Sequence, residues 1–322
     1  MVDARAADSA PDAQRRKAGL VLALSVFGIS WAAPLIRLSS AEPLAIAMWR
    51  LIIAESLLLL VFCWRRDWTS WSTLTRAEHL IAGGAGAMLA VHFWSWNASL
   101  TYTTVAASVV LVNLQPAIVA VGASWILRET SSSRQRAVIA LALAGALLVA
   151  MPAIFAPSRH AERAVTAPFG LPATLFGDLL ALLGAVTASM YYLAGRRLRA
   201  KLDLVPYVTL VYGWCTAVLI ALVVLTRVPI GPYGNRDWAI FVALAAGPML
   251  LGHTGMNWAL KHLPAPVVNL TVLGEPVGAS LLAMIIPAIG ERPDVWTLAG
   301  GVLILGAAVY ALRAEGESKA RP

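Results

Sequence analysis

Apolar residues run in ten stretches of roughly twenty, separated by short polar connectors. About twenty helical residues, rising ~1.5 Å each, cross a ~30 Å hydrocarbon core. The pattern predicts helices over about 18–38, 43–63, 79–99, 103–126, 135–155, 173–195, 204–226, 237–260, 265–288 and 296–313. Some connectors are only a few residues long, such as TYT near Tyr102 and HLPA near His262. The longest, 156–172 (APSRHAERAVTAPFGLP), is rich in proline and charge and separates five helices from five. The expected organisation is a disordered cytoplasmic tail at 1–17, a first repeat at 18–155, a periplasmic linker at 156–172, a second repeat at 173–313 and a cytoplasmic tail at 314–322.

Composition narrows the solvent. The chain is 59% hydrophobic and 13% charged, with a mean hydropathy of +0.73. A soluble domain carries roughly a quarter charged residues. Twelve tryptophans suit aromatic belts at a bilayer surface. In lipid every backbone polar group needs an internal partner, so an all-α integral membrane fold is expected. The net charge of +8 does not indicate nucleic acid, because the basic residues lie in short clusters between apolar runs. With the N-terminus inside, eighteen Lys and Arg fall on inner segments, six on outer ones, and Arg50 within a helix. That asymmetry places both termini in the cytoplasm of a multi-pass inner-membrane protein. Residues 1–17 contain three Asp and make a poor secretory n-region. Cys63 and Cys215 lie far apart in apolar runs and read as inert thiols, with no metal spacing around them.

The two halves are alike. Asn97 to Pro116 (NASLTYTTVAASVVLVNLQP) aligns without gaps to Asn257 to Pro276 (NWALKHLPAPVVNLTVLGEP), at a constant offset of 160. GLVLAL at Gly19 resembles GDLLAL at Gly177. An odd number of spans per repeat inverts the second copy. Inverted repeats are a recurring design of secondary carriers, which bind substrate between the halves near the midplane.

These residues resemble the EamA-type family of the drug/metabolite transporter superfamily, over nearly the whole chain. GERPDVWTLAGGVLILGAAVY (Gly290 to Tyr310) is similar to the family's outer Gly-Glu turn and Gly-rich last helix. Glu129 followed by ALAGALLVA is its first-half counterpart, EPLAIAMWR (Glu42 to Arg50) resembles the start of the second helix, and Glu275-Pro276 the Glu-Pro of the ninth. Phe27 and Thr187 stand where the family often has Trp. The resemblance implies ten helices as two inverted five-helix repeats around a central cavity, with helices 5 and 10 peripheral. It implies a secondary carrier for small metabolites, similar to bacterial amino-acid exporters.

Glu275 is the leading site candidate. An ionised carboxylate about ten residues into a membrane helix must face a wet cavity or carry a proton. It is a proton-coupling candidate or a partner for a substrate ammonium; alternatively it bonds a carbonyl freed by Pro276. Gln115-Pro116 is its repeat partner, nearly isosteric but unable to ionise. Pro116 and Pro276 are candidate hinges or simple kinks. Asn97 and Asn257 are repeat-matched, and His253 lies one turn before Asn257. Trp31, Trp96 and Tyr191 are aromatic candidates, each also compatible with packing or a membrane belt. His92, Ser95, Trp96 and Ser99 share a face, and Thr187, Tyr191 and Tyr192 offer another. Arg50 either holds a substrate carboxylate or bonds another helix. Glycines 83, 84, 86, 300, 301 and 306 suit close helix packing.

No P-loop, Gly-x-Ser-x-Gly or His-Glu-x-x-His occurs, so no enzyme activity is expected. The expected function is export of small metabolites, most of all amino acids, by alternating access. The alternatives are a sugar-nucleotide or organophosphate antiporter, a multidrug exporter, and, from another class, a membrane-embedded enzyme or scaffold. The expected partners are a small-molecule substrate and the lipid bilayer, without nucleic acid, metal or cofactor, as a monomer or homodimer.

Overall fold

Prolines, glycines and polar caps decide where each apolar run becomes a helix and where it stops. The computed structural model describes residues 4–115, 118–119, 133–155, 167–259, 262, 268 and 271–319. The described segments are helical, and no strand occurs among them. In order they are α1 (Ala4–Ser30), α2 (Ala32–Leu38), α3 (Pro43–Arg65), α4 (Arg76–Tyr102), α5 (Val105–Val112), α6 (Ser133–Phe155), α7 (Ala173–Leu198) and α8 (Leu204–Thr226). They continue with α9 (Asn235–Leu244), a π-helical stretch (Ala245–Thr254), α10 (Gly255–Ala259), α11 (Glu275–Ile285) and α12 (Val295–Lys319). Residues 4–17, expected as a tail, are drawn into α1.

Local chemistry explains the ends. Pro43 opens α3, where its missing N–H has no intrahelical acceptor to lose. Arg66 closes that helix in the left-handed region at φ 55°. Thr75 and Glu78 form a reciprocal capping box at the start of α4. Lys201 Nζ approaches the Glu78 carboxylate at 2.8 Å. That bond and the cap hold the Glu78 carboxyl down at about 2. Thr104 caps α5 by accepting from Ala107 N at 3.1 Å.

Five described segments are long and apolar enough to cross a bilayer: Lys17–Leu38, Pro43–Arg65, Ala173–Leu198, Leu204–Thr226 and Asn235–Ala259. α4 is longer than any of these but polar, burying Glu78, His92, Ser95, Asn97 and Ser99 along its inner side. Large apolar side chains such as Leu60, Trp64, Val224, Leu225 and Val302 point outward and stay exposed. Such a surface suits lipid rather than water.

The helices pack in a fixed set of pairs. α4 lies against α7 and α8, α3 against α8, and α6 against α12. α1 lies against the π-helical stretch and α11, while α5 meets both α7 and α11. Gly86 lets α4 approach α8, because a Cβ there would come within 2.9 Å of Cys215 N and Val211 O. Gly145 does the same where α6 meets Gly300 of α12. Gly84, Gly301 and Gly306 face open space, so close packing does not account for them.

Side chains tie the bundle at one end. Arg37 bonds Glu291 at 2.5 Å and also donates to Leu100 O and Thr103 O. Glu291 accepts from Val105 N at 2.8 Å. Asp237 accepts from Ser39 Oγ and Ser40 Oγ, each at 2.6 Å. The end of α2 is thus fastened to α9, to the α4–α5 turn and to the segment before α12.

Candidate functional site

Four helices lose regular α geometry at one level of the bundle. α1 breaks at Trp31, three residues before Pro34, whose ring removes the donor that Ser30 O would need. α5 ends at Asn113–Leu114. The eighth span widens into the π-helical stretch around Pro248. The ninth tightens to a 3-10 turn at Val272–Gly274 before α11 restarts at Glu275. Pro276 therefore sits in the first turn of a helix, where a missing donor costs little. Pro116 lies outside the described residues. Irregular backbone inside a membrane is tolerated only against protein or a wet cavity.

A narrow cavity of about 30 Å³, room for little more than a water molecule, occupies that level, so a solute enters only when the helices part. Its lining includes residues at every interruption: Ala32, Asn113, Gln115, His253 and Glu275. The regular helices add His92 and Trp96 from α4, and Tyr191 and Tyr192 from α7. No Lys or Arg occurs among the described lining residues.

The polar groups are set by their neighbours. Asn113 Nδ2 donates to Glu275 Oε2 at 3.2 Å and to Val109 O at 2.8 Å. One tie thus joins the end of α5 to the start of α11. His92 Nδ1 meets Gly184 O at 3.0 Å, and its ring stacks on Trp96 at 6.1 Å. His253 sits edge-on to Phe93 at 5.7 Å. Asn257 Nδ2 donates to the Tyr191 hydroxyl at 3.1 Å and to His253 O at 2.8 Å. Three lining donors or acceptors, Trp96 Nε1, Gln115 Nε2 and His253 Nδ1, have no hydrogen-bond partner among the described residues. The same holds for Asn113 Oδ1. Buried polar atoms are nearly always paired, so such a group marks a place for water or a ligand.

The structure thus brings Trp96, Gln115, Tyr191, His253 and Glu275 to one cavity. Asn257 stands one layer behind, orienting Tyr191. Asn97 is buried elsewhere, its Nδ2 donating to Pro43 O at 3.1 Å. Trp31 sits half-buried at the break in the first span, edge-on to Phe27, and does not line the cavity. Phe27 is 60% exposed and points away from the bundle. Thr187 returns its hydroxyl to Leu183 O and Gly184 O.

Sequence reasoning missed Asn113. In a continuous helix it stands ~200° from Gln115 and faces elsewhere. The turn at 113–114 brings both to the cavity. The available signal was an asparagine, a turn former, just before Gln-Pro. Among the described residues no group of three His, Cys, Asp or Glu has the arrangement of a metal site.

The chain is 23% identical over 303 residues to an uncharacterized transporter of Archaeoglobus fulgidus, covering 91% of this chain and 96% of that one. A crystal structure described only as that of a protein superposes with a TM-score of 0.62 at 20% identity. It covers 93% of this chain and 97% of its own, and shows the fold to be shared. Residues 17–151 and 175–313 each match the EamA-like transporter family. Because the matches span both halves, the chain belongs to the EamA-like transporter family and is a multi-pass membrane transporter of small solutes.

Proposed function

We propose that the protein is an inner-membrane exporter of amino acids or similar small amphipathic zwitterions. The observation that carries this is the chemistry of the cavity wall: one carboxylate, Glu275, beside the unpartnered donors Trp96 Nε1 and Gln115 Nε2. A substrate ammonium meets Glu275, displacing the Asn113 amide. The substrate carboxylate accepts from Trp96 and Gln115. Aromatic faces of Trp96, Tyr191 and Tyr192 cover the side chain. Glu275 takes up a proton when substrate leaves, since a bare carboxylate is costly there. A sugar nucleotide or organophosphate needs Lys or Arg at the phosphate, and neither occurs among the described lining residues.

The working architecture is ten spans in two inverted five-span repeats, 18–155 and 173–313, joined by the periplasmic linker 156–172, with both termini cytoplasmic. Two observations support it. The family matches the two halves separately. The helix pairs also survive exchange of halves. The pair of third and sixth spans (α4, α7) corresponds to eighth and first, and fourth with sixth (α5, α7) corresponds to ninth with first. Second with seventh, fourth with ninth and fifth with tenth each map onto themselves. Rocking of the halves about the broken helices alternates access to the cavity.

Loss of a hydrogen bond to a charged group costs about 1.5–3 kcal/mol, roughly 10–100-fold. Glu275→Gln is expected to reduce amino-acid flux in proteoliposomes by that factor and flatten its pH dependence. Unchanged flux with unchanged pH dependence would remove Glu275 from the mechanism.

A further inference from the structure

Another of the buried carboxylates lies on α3, and the substrate cavity does not use it. Glu55, in the middle of α3, is 6% exposed. It faces α8 at Gly213, where a Cβ would stand 3.4 Å from its Oε1. Its Oε2 has no hydrogen-bond partner among the described residues.

Arg50 precedes it on the same helix. That guanidinium is fully buried, 3.7 Å above the Phe93 ring, with Nη2 at 3.5 Å from Met249 Sδ. Its Nε and Nη1 are also unpartnered among the described residues. Five residues on a helix separate Arg50 and Glu55 by ~140° around the axis, so they do not pair directly. A guanidinium keeps its proton in any ordinary medium, whereas a carboxylate can gain one. Glu55 is therefore the member of the two that is able to change charge.

The facing helix, α8, also carries polar side chains. Tyr191 lines the cavity, while the Tyr212 hydroxyl on α8 has no hydrogen-bond partner among the described residues. Thr209, Tyr212 and Thr216 fall at i, i+3 and i+7, on one face of α8. Cys215, on the next turn, lies within electrostatic range of both Arg50 and Glu55. Cys215 on α8 is thus its titratable neighbour; Arg50 and Tyr212 lie within range of Cys215 in turn, and Glu275 within range of Arg50. Beyond Arg50 stand His92 on α4 and His253 on the π-helical stretch.

We infer that Glu55 is a proton-binding site that couples transport to the proton gradient. The inference rests on the exporter reading and adds to it: Glu275 exchanges one proton for the substrate, and Glu55 carries a further proton the other way. A proton adds to a Glu55 carboxylate oxygen, forming one O–H bond. The same bond breaks when the halves have switched and the proton passes to water on the opposite side.

The test uses purified full-length protein in liposomes, with a mixture of the proteinogenic amino acids as probe. Glu55→Gln is expected to keep amino-acid counterflow within about twofold and to lose about tenfold or more of proton-driven accumulation. A Glu55→Gln protein that still concentrates amino acids like the wild type overturns the role of Glu55. A wild type that moves none of them overturns the exporter reading instead. Labelling of the wild type with dicyclohexylcarbodiimide, which attacks protonated buried carboxyls, reads Glu55 even if the variant does not fold. Modification at Glu55 that falls as pH rises, and that added amino acids do not block, supports the site. Absence of modification at every pH overturns it.

Discussion

At the scale of single residues, the cavity is organised by one side-chain amide. Asn113, at the end of α5, holds Glu275 at the start of α11. Its removal leaves the carboxylate with one bond fewer, so the proton and the substrate ammonium both bind it more readily. Asn113→Ala is expected to tighten amino-acid binding about tenfold and slow release correspondingly, seen as a fall in KM and kcat together. A rise in KM with unchanged kcat would assign Asn113 to direct substrate contact instead. Glu275 stood out in the sequence because a carboxylate in an apolar run demands an explanation. Asn113 did not, because neutral amides in membrane helices are common and its direction depends on a turn.

At the scale of elements, interruptions matter more than helices. Each break falls where proline or turn chemistry weakens the ladder, and each contributes to the cavity wall. Regular helices instead supply the packing. Gly86 and Gly84 separate the two demands. Gly86 lies against α8, whereas a Cβ at Gly84 would meet nothing within 4 Å among the described residues. Gly86→Val is expected to lower stability by about 1–3 kcal/mol through overpacking. Gly84→Ala is expected to be neutral or stabilising by about 0.5–1 kcal/mol through helix propensity. Thermal unfolding in detergent, followed by tryptophan fluorescence, measures both. Equal effects at the two sites would mean that α4 does not approach α8 as described.

At the scale of the molecule, one end of the bundle is latched. Arg37, Glu291 and Asp237 bind together the segments that flank the cavity at that end. Breaking the latch favours the state open there. In a Cys63→Ser background, Ala188→Cys in the cavity wall reports that opening. Adding Glu291→Ala is expected to speed its alkylation from the Arg37 side by about fivefold or more. No acceleration would show that the tie does not hold that end closed.

The sequence by itself determined that this chain lives in a bilayer, that it is helical, and which of its carboxylates is out of place. Those conclusions follow from hydropathy, because burying unpaired backbone or charge in lipid is costly wherever it occurs. The repeat offset of 160 also aligned Gln115 with Glu275, and both line the cavity. Only the tertiary structure decided which polar residues meet there. Asn97 and Asn257 are equivalent by offset, yet one bonds the α3 backbone and the other orients Tyr191. A side chain's direction depends on where helices break and which neighbours they meet, and neither is written in the local pattern of apolar and polar positions.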